Sequence, residues 1–107
     1  MDPASKPREL ERLSQDDLDG LIKRHVRFRN GRLGGARAVL SFFDLAWLDF
    51  HGADLTDADF TGASLSRASM TGVTLDYASL FAVDLRGANL DGASMVKTDM
   101  RGVCLRG

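Results

Sequence analysis

The stretch ASLSRASMTGVTLDYASLFAVDLRGANLDGASM, residues 63–95, places Leu or Met at positions 65, 70, 75, 80, 85, 90 and 95. A period of five suits neither regular element. On an α-helix each step of five turns the side chain by about 140°, at ~100° per residue, so the column scatters over every face. In a flat strand side chains alternate, and five reverses the face each time. The pattern becomes consistent when every five residues form one side of a coil and then turn a corner. Four such sides close a square of twenty residues.

Carried back to Ala36, the register yields fourteen blocks of five, each ending in Leu, Phe or Met. Two residues before the large one stands a mostly small one: Ala38, Ala53, Ala58, Ala63, Ala68, Val73, Ala78, Val83, Ala88, Ala93, Thr98 and Val103. Phe43 and Leu48 are the exceptions, both early in the array. A coil stacked at the ordinary strand spacing of ~4.8 Å has a narrow interior. The large residue fills it and leaves room for an Ala-sized partner. Gly at 52, 62, 72, 87, 92 and 102 falls two residues after a large one, where a corner needs turn backbone. A fixed period repeated this often is the signature of a solenoid.

These blocks resemble the pentapeptide-repeat family, whose motif is A(D/N)LXX; GADLT, GASLS and GANLD match it closely. The resemblance covers about residues 36–107. It implies an all-β repeat solenoid, a right-handed quadrilateral β-helix of about three and a half coils. At ~4.8 Å per coil the rod is only ~17 Å long.

Residues 1–35 lack the repeat and form a separate N-terminal unit. Residues 14–29 read as a helix with Ser14 as N-cap, Asp17 at the capping-box position, acids in the first turn and Lys23, Arg24, Arg27 and Arg29 near the end. Leu18, Leu21, Ile22, His25 and Val26 form one stripe. A shorter helix is expected over residues 7–13, opened by Pro7. A solenoid end bares β backbone and apolar interior, so it needs a cover. The expectation is an N-terminal α-helical cap whose stripe meets an aromatic seam of Phe42, Phe43, Trp47 and Leu48. At the other end Met95, Met100, Val103 and Leu105 leave the final coil uncovered, which predicts end-to-end homodimerisation there.

Composition narrows the function. The chain has 107 residues, net charge −1, and 14 basic against 15 acidic side chains. That balance argues against direct nucleic-acid binding through a sequence-independent electrostatic hold. No run approaches the ~20 apolar residues of a membrane span, and a polar N-terminus without a signal core makes the cytoplasm the expected location. Cys104 is the single cysteine, so no internal disulfide forms. His25 and His51 lie far from Cys104 in the register and make no metal site with it. Asp44, Asp49, Asp54, Asp59, Asp84 and Asp99 precede large residues, where short acids bond the turn backbone. GRLGG lacks the spacing and Lys of a phosphate loop. No catalytic constellation and no cofactor motif emerge, so an enzyme is not expected.

The reading that remains is a non-enzymatic interaction or scaffold module. Tyr77, Phe81 and Val96 are outward apolar residues expected near one corner, with Lys97 twenty residues above Tyr77 and over its ring. These four are the candidate partner contact. The alternative is a DNA-mimicking binder of a type II topoisomerase such as DNA gyrase, a use known among long family members. It needs a long, strongly acidic rod. A dimer of ~35 Å would span about ten base pairs at ~3.4 Å each.

Overall fold

The computed structural model describes residues 10–105. Parallel bridges join residues twenty apart along the chain, from Val39↔Asp59 through Asp84↔Cys104. Five residues per side and twenty per turn give four sides, named here by their inward residues. The first holds Leu40, Phe60, Leu80 and Met100; the second Leu45, Leu65, Leu85 and Leu105; the third Phe50, Met70 and Leu90; the fourth Leu55, Leu75 and Met95. Every one of these from Leu40 to Leu85 is buried. Ala58, Ala63, Ala68, Val73, Ala78 and Val83 are buried beside them, as the narrow interior requires. Each fully buried Leu contributes about 1.5–3 kcal/mol by transfer from water.

The corners follow one rule. The residue after the corner closes the turn: its N–H donates to the carbonyl of the large residue three positions earlier, as in Ala53 N–H to Phe50 O at 3.0 Å and Ala63 N–H to Phe60 O at 2.9 Å. The second corner residue has positive φ at every position from Phe42 to Gly102, six of them Gly. That is the backbone of a type II turn. At one corner His51 and Gly52 are both positive, at 54° and 64°, the sign pattern of a type I′ turn. Where the small residue is replaced by Phe43 or Leu48, the turn bond lengthens to 3.4 and 3.3 Å.

Helix α1 spans Gln15–Arg29, and Ser14 caps it by accepting from the Asp17 N–H at 3.0 Å. Ahead of it the expected short helix is not formed in the described part. Glu11–Arg12 is a strand, β1, parallel to β2 at Phe43–Asp44, and the Leu13 N–H continues the pairing to Asp44 O at 3.2 Å. Residues 7–9 lie outside the described residues. The physical reason is the ladder edge under the second side, which supplies hydrogen-bond partners that a one-turn helix lacks.

The stripe of α1 divides. Leu18 and His25 are fully buried, and Leu21 and Ile22 pack against the core. Val26 lies at the rim and is exposed. Leu48 is buried and Phe43 packs against the core, but Phe42 and Trp47 are not a seam under the helix. Both occupy second-corner positions and point outward, Trp47 71% exposed. The repeat register, which turns that position outward in every coil, overrides the preference of an aromatic for burial.

Polar groups of the N-terminal unit, with Arg37 at the start of the solenoid, complete the underside of the first coil. The Gln15 amide bonds Asp49 on both sides, donating to its carbonyl at 2.7 Å and accepting from its N–H at 2.9 Å. It imitates a peptide group of a missing strand. Arg12 donates to Ala46 O at 2.7 Å, and Arg37 to Asp57 O at 2.7 Å. His25 Nε2 meets Thr56 O at 2.8 Å, and its Nδ1 accepts from the Ala38 N–H at 2.9 Å. Among the described residues no buried side-chain polar atom lacks a partner.

Candidate functional site

With the interior filled, chemistry is left to the outer corners and the two ends. The aspartates serve the corners. Oδ1 of Asp44, Asp49, Asp54, Asp59, Asp84 and Asp99 each accepts the backbone N–H two residues on, at 2.8–3.1 Å. Asn89 does the same for Asp91 at 2.9 Å. Asp84 and Asp99 also take two guanidinium bonds each, from Arg86 and Arg101. The Arg101 side chain holds the Asp99 carboxyl at about 2. Carboxylates occupied in this way are poor acid–base catalysts.

Tyr77, Val96 and Lys97 share one corner, where Tyr77 N–H bonds Val96 O at 2.9 Å and Lys97 Nζ stands 6.0 Å from the Tyr77 ring centre. Phe81 does not join them there. It sits in the turn from Leu80 to Val83, one corner on, whereas Tyr77 sits in the turn from Leu75 to Ala78. Four residues separate the two rings along the chain, a full side apart, so the expected single cluster is two aromatic corners flanking Ser79. A second cation, absent from the sequence reading, completes the symmetry: the Arg101 guanidinium lies 5.4 Å from the Phe81 ring centre. The twenty-residue spacing of Phe81 and Arg101 was the available signal. Val39 and Phe42 are exposed on this side too. Asp76, also unremarked in the sequence, accepts from the Ser94 hydroxyl at 2.6 Å and the Val96 N–H at 2.9 Å and so ties adjacent coils.

The remaining outer surface differs. The third and fourth sides with the corner between them, residues 48–55, 68–75 and 88–95, hold Asp49, Asp54 and Asp91 and no Lys or Arg. Arg37, Arg67, Arg86, Lys97 and Arg101 all lie on the first and second sides or at the corners bounding them. Arg67 lies 5.5 Å from the Trp47 ring centre there. The rod therefore has an acidic, small-residue half and a mixed-charge half that carries most of its exposed rings.

At the C-terminal end exposure rises. Met95 is 38% and Leu105 62% exposed, while Met100 and Val103 are partly buried against the core. Cys104 points outward and is a free thiol. His51 is exposed, with Nε2 3.1 Å from Asp19 Oδ1 and Nδ1 3.6 Å from Asp49 Oδ2. Among the described residues no three His, Cys, Asp or Glu side chains converge as metal ligands, and no helix is long and apolar enough to cross a membrane.

A family model described as pentapeptide repeats matches in eight copies over residues 38–80 and 68–107. Among solved structures, a pentapeptide-repeat protein of the cyanobacterium Cyanothece 51142 is 27% identical, covering 64% of this chain and 44% of its own, with TM-score 0.49. One from the Arabidopsis thaliana thylakoid lumen is 27% identical over 67% of this chain and 53% of its own, with TM-score 0.38. One from Nostoc PCC 7120 is 22% identical over 92% and 79%, with TM-score 0.42. The chain thus spans about half the length of the first two. Comparison with curated proteins returns no match.

Proposed function

The chain belongs to the pentapeptide-repeat family, whose fold is a right-handed quadrilateral β-helix, and from that premise we propose a non-enzymatic protein-interaction module. In this reading residues 36–107 are a rigid rod of about three and a half coils, and residues 1–35 close its first coil with α1 as lid. The observation that carries the reading is the outer surface of the first side. Tyr77 and Phe81 stand exposed at its two corners, with Val96 above Asp76 and Lys97 over Tyr77. An exposed cation–ring contact returns only about 0.5–1 kcal/mol to folding at each ring, whereas a partner gains apolar area.

Replacement of Phe81 by Asp tests this. The side chain faces water, so the circular-dichroism spectrum and melting midpoint stay near wild type. Recovery of the bound protein in affinity purification falls. Undiminished recovery with intact folding overturns the assignment of the site.

A second element of the proposal is end-to-end homodimerisation through Met95, Met100, Val103 and Leu105, of which Met95 and Leu105 are exposed. Sedimentation gives a dimer whose population falls on Leu105→Asp; a monomer at all concentrations contradicts it. The topoisomerase reading rests on the cation-free third and fourth sides. Inhibition of gyrase supercoiling at micromolar protein supports it, and no effect removes it.

A further inference from the structure

The contact between α1 and the first coil contains one group whose hydrogen-bonding pattern depends on a proton. His25 is fully buried. Its Nδ1 accepts from the Ala38 N–H, so that nitrogen carries no hydrogen; Nε2 therefore carries it and donates to Thr56 O. The neighbours fix both the tautomer and the neutral state. A second proton, taken from solvent onto Nδ1, would face the Ala38 N–H donor to donor and place a cation inside an apolar seam.

Nearby charges do little to offset this. On its own helix His25 has the Phe28 ring at 5.8 Å and Arg29 one turn on. From the solenoid Asp54 and Asp57 approach. Asp54 is engaged by the N–H and hydroxyl of Thr56, and Asp57 by Arg29 at 3.2 Å. Among the described residues no carboxylate hydrogen-bonds the ring. The second histidine lies at the other end of α1. There His51 Nε2 meets Asp19 Oδ1 at 3.1 Å, and the Gln15–Asp49 bonds do not titrate.

We propose that α1 is a proton-released latch: a proton bound at His25 Nδ1 breaks the Ala38–His25–Thr56 bridge and frees the C-terminal half of the helix, which pivots about its Gln15 end and bares the edge of the first coil. Burial holds the ring below its ordinary value of 6.5, with the Thr56 carbonyl and Asp54 opposing. The sign follows from linkage. The released helix binds the proton and the docked helix does not, so docking is complete above about pH 6.5 and weakens as pH falls below it.

The test is amide hydrogen exchange of the full chain between pH 7.5 and 5.0, corrected for intrinsic rates, with His25→Gln as the central variant. Gln offers one acceptor and one donor pair, as Gln15 does to Asp49, and keeps the bridge without titrating. In the wild type, protection of Ala38 and of the last two turns of α1 falls by up to roughly tenfold per pH unit below 6.5. His25→Gln abolishes this dependence and His51→Gln retains it. The same acid loss in His25→Gln, or wild-type protection unchanged down to pH 5.0, overturns the latch. If His25→Gln does not fold, the wild-type ring titration decides. Coupled movement of the His25 ring and Ala38 amide resonances supports release; a ring that titrates while Ala38 stays still overturns it.

Discussion

Adding one methyl group at two equivalent corners separates backbone strain from side-chain packing. Gly72 has φ of 71° and nothing within 4 Å of where its Cβ would stand. Gly72→Ala therefore measures the left-handed backbone alone. The conformation costs an L-residue about 1–2 kcal/mol, and the stiffer unfolded chain returns about 0.4–1, leaving a net loss near 1 kcal/mol. Gly62 has nearly the same φ, 69°, but its Cβ would stand 2.6 Å from Phe42 Cδ1 and closer still to Cε1. The ring must swing off its glycine. Loss of ~40 Å² of apolar contact adds about 1 kcal/mol. Gly62→Ala is thus expected to cost about 2 kcal/mol against about 1 for Gly72→Ala, measured by guanidinium titration. In the background of Phe42→Ala the excess disappears, a coupling of about 1 kcal/mol in the double-mutant cycle. Equal costs for the two glycine variants, or a coupling of zero, would refute the stacking of Phe42 over Gly62.

Three further outcomes are expected. Leu75→Ala, at a fully buried position, destabilises by about 3 kcal/mol in denaturant titration, whereas Leu105→Ala at the exposed end loses under about 1; comparable losses would contradict the filled-interior account. Gln15→Ala leaves the Asp49 N–H and carbonyl without their partner, costing about 1 kcal/mol and accelerating exchange of the Asp49 amide, and an unchanged amide rate would count against the peptide-like role. Arg101→Gln removes the bonds that hold the Asp99 carboxyl at about 2, so its NMR titration moves up toward the ordinary 3.8; a carboxyl still titrating near 2 would show that another group holds it.

The interior of this protein was open to reading because each inward position meets its own kind twenty residues away. A column of Leu, Phe and Met has no other period to adopt, and the Ala column beside it reports the width of the channel. The corner aspartates were equally legible, since an acid two residues before a turn N–H has one short-range use. The outward aromatics were harder. Counting in twenties places Tyr77 with Lys97, but Phe81 follows Tyr77 by four residues and so crosses a side; nearness in sequence is not nearness in space. Residue type alone suggests a buried seam at Phe42 and Trp47, but their place in the register turns them outward. β1 carried no signal, because two residues have no periodicity and the strand exists through the edge that pairs with it.

The same division explains where function can lie. A side chain pointing inward is fixed by volume: Leu80 or Phe60 has almost no freedom to be anything but apolar and large. A corner residue is constrained mainly by φ, and seven corners accept a non-Gly residue at positive φ despite the cost. At Trp47, Tyr77 and Lys97 the side chain gains a cation–ring contact. Such a contact, worth about 0.5–1 kcal/mol when exposed, roughly offsets left-handed strain but does not exceed it. These rings therefore leave folding near neutral. Under the proposed interaction role, the corners beside Ser79 are where substitution is expected to separate binding from stability.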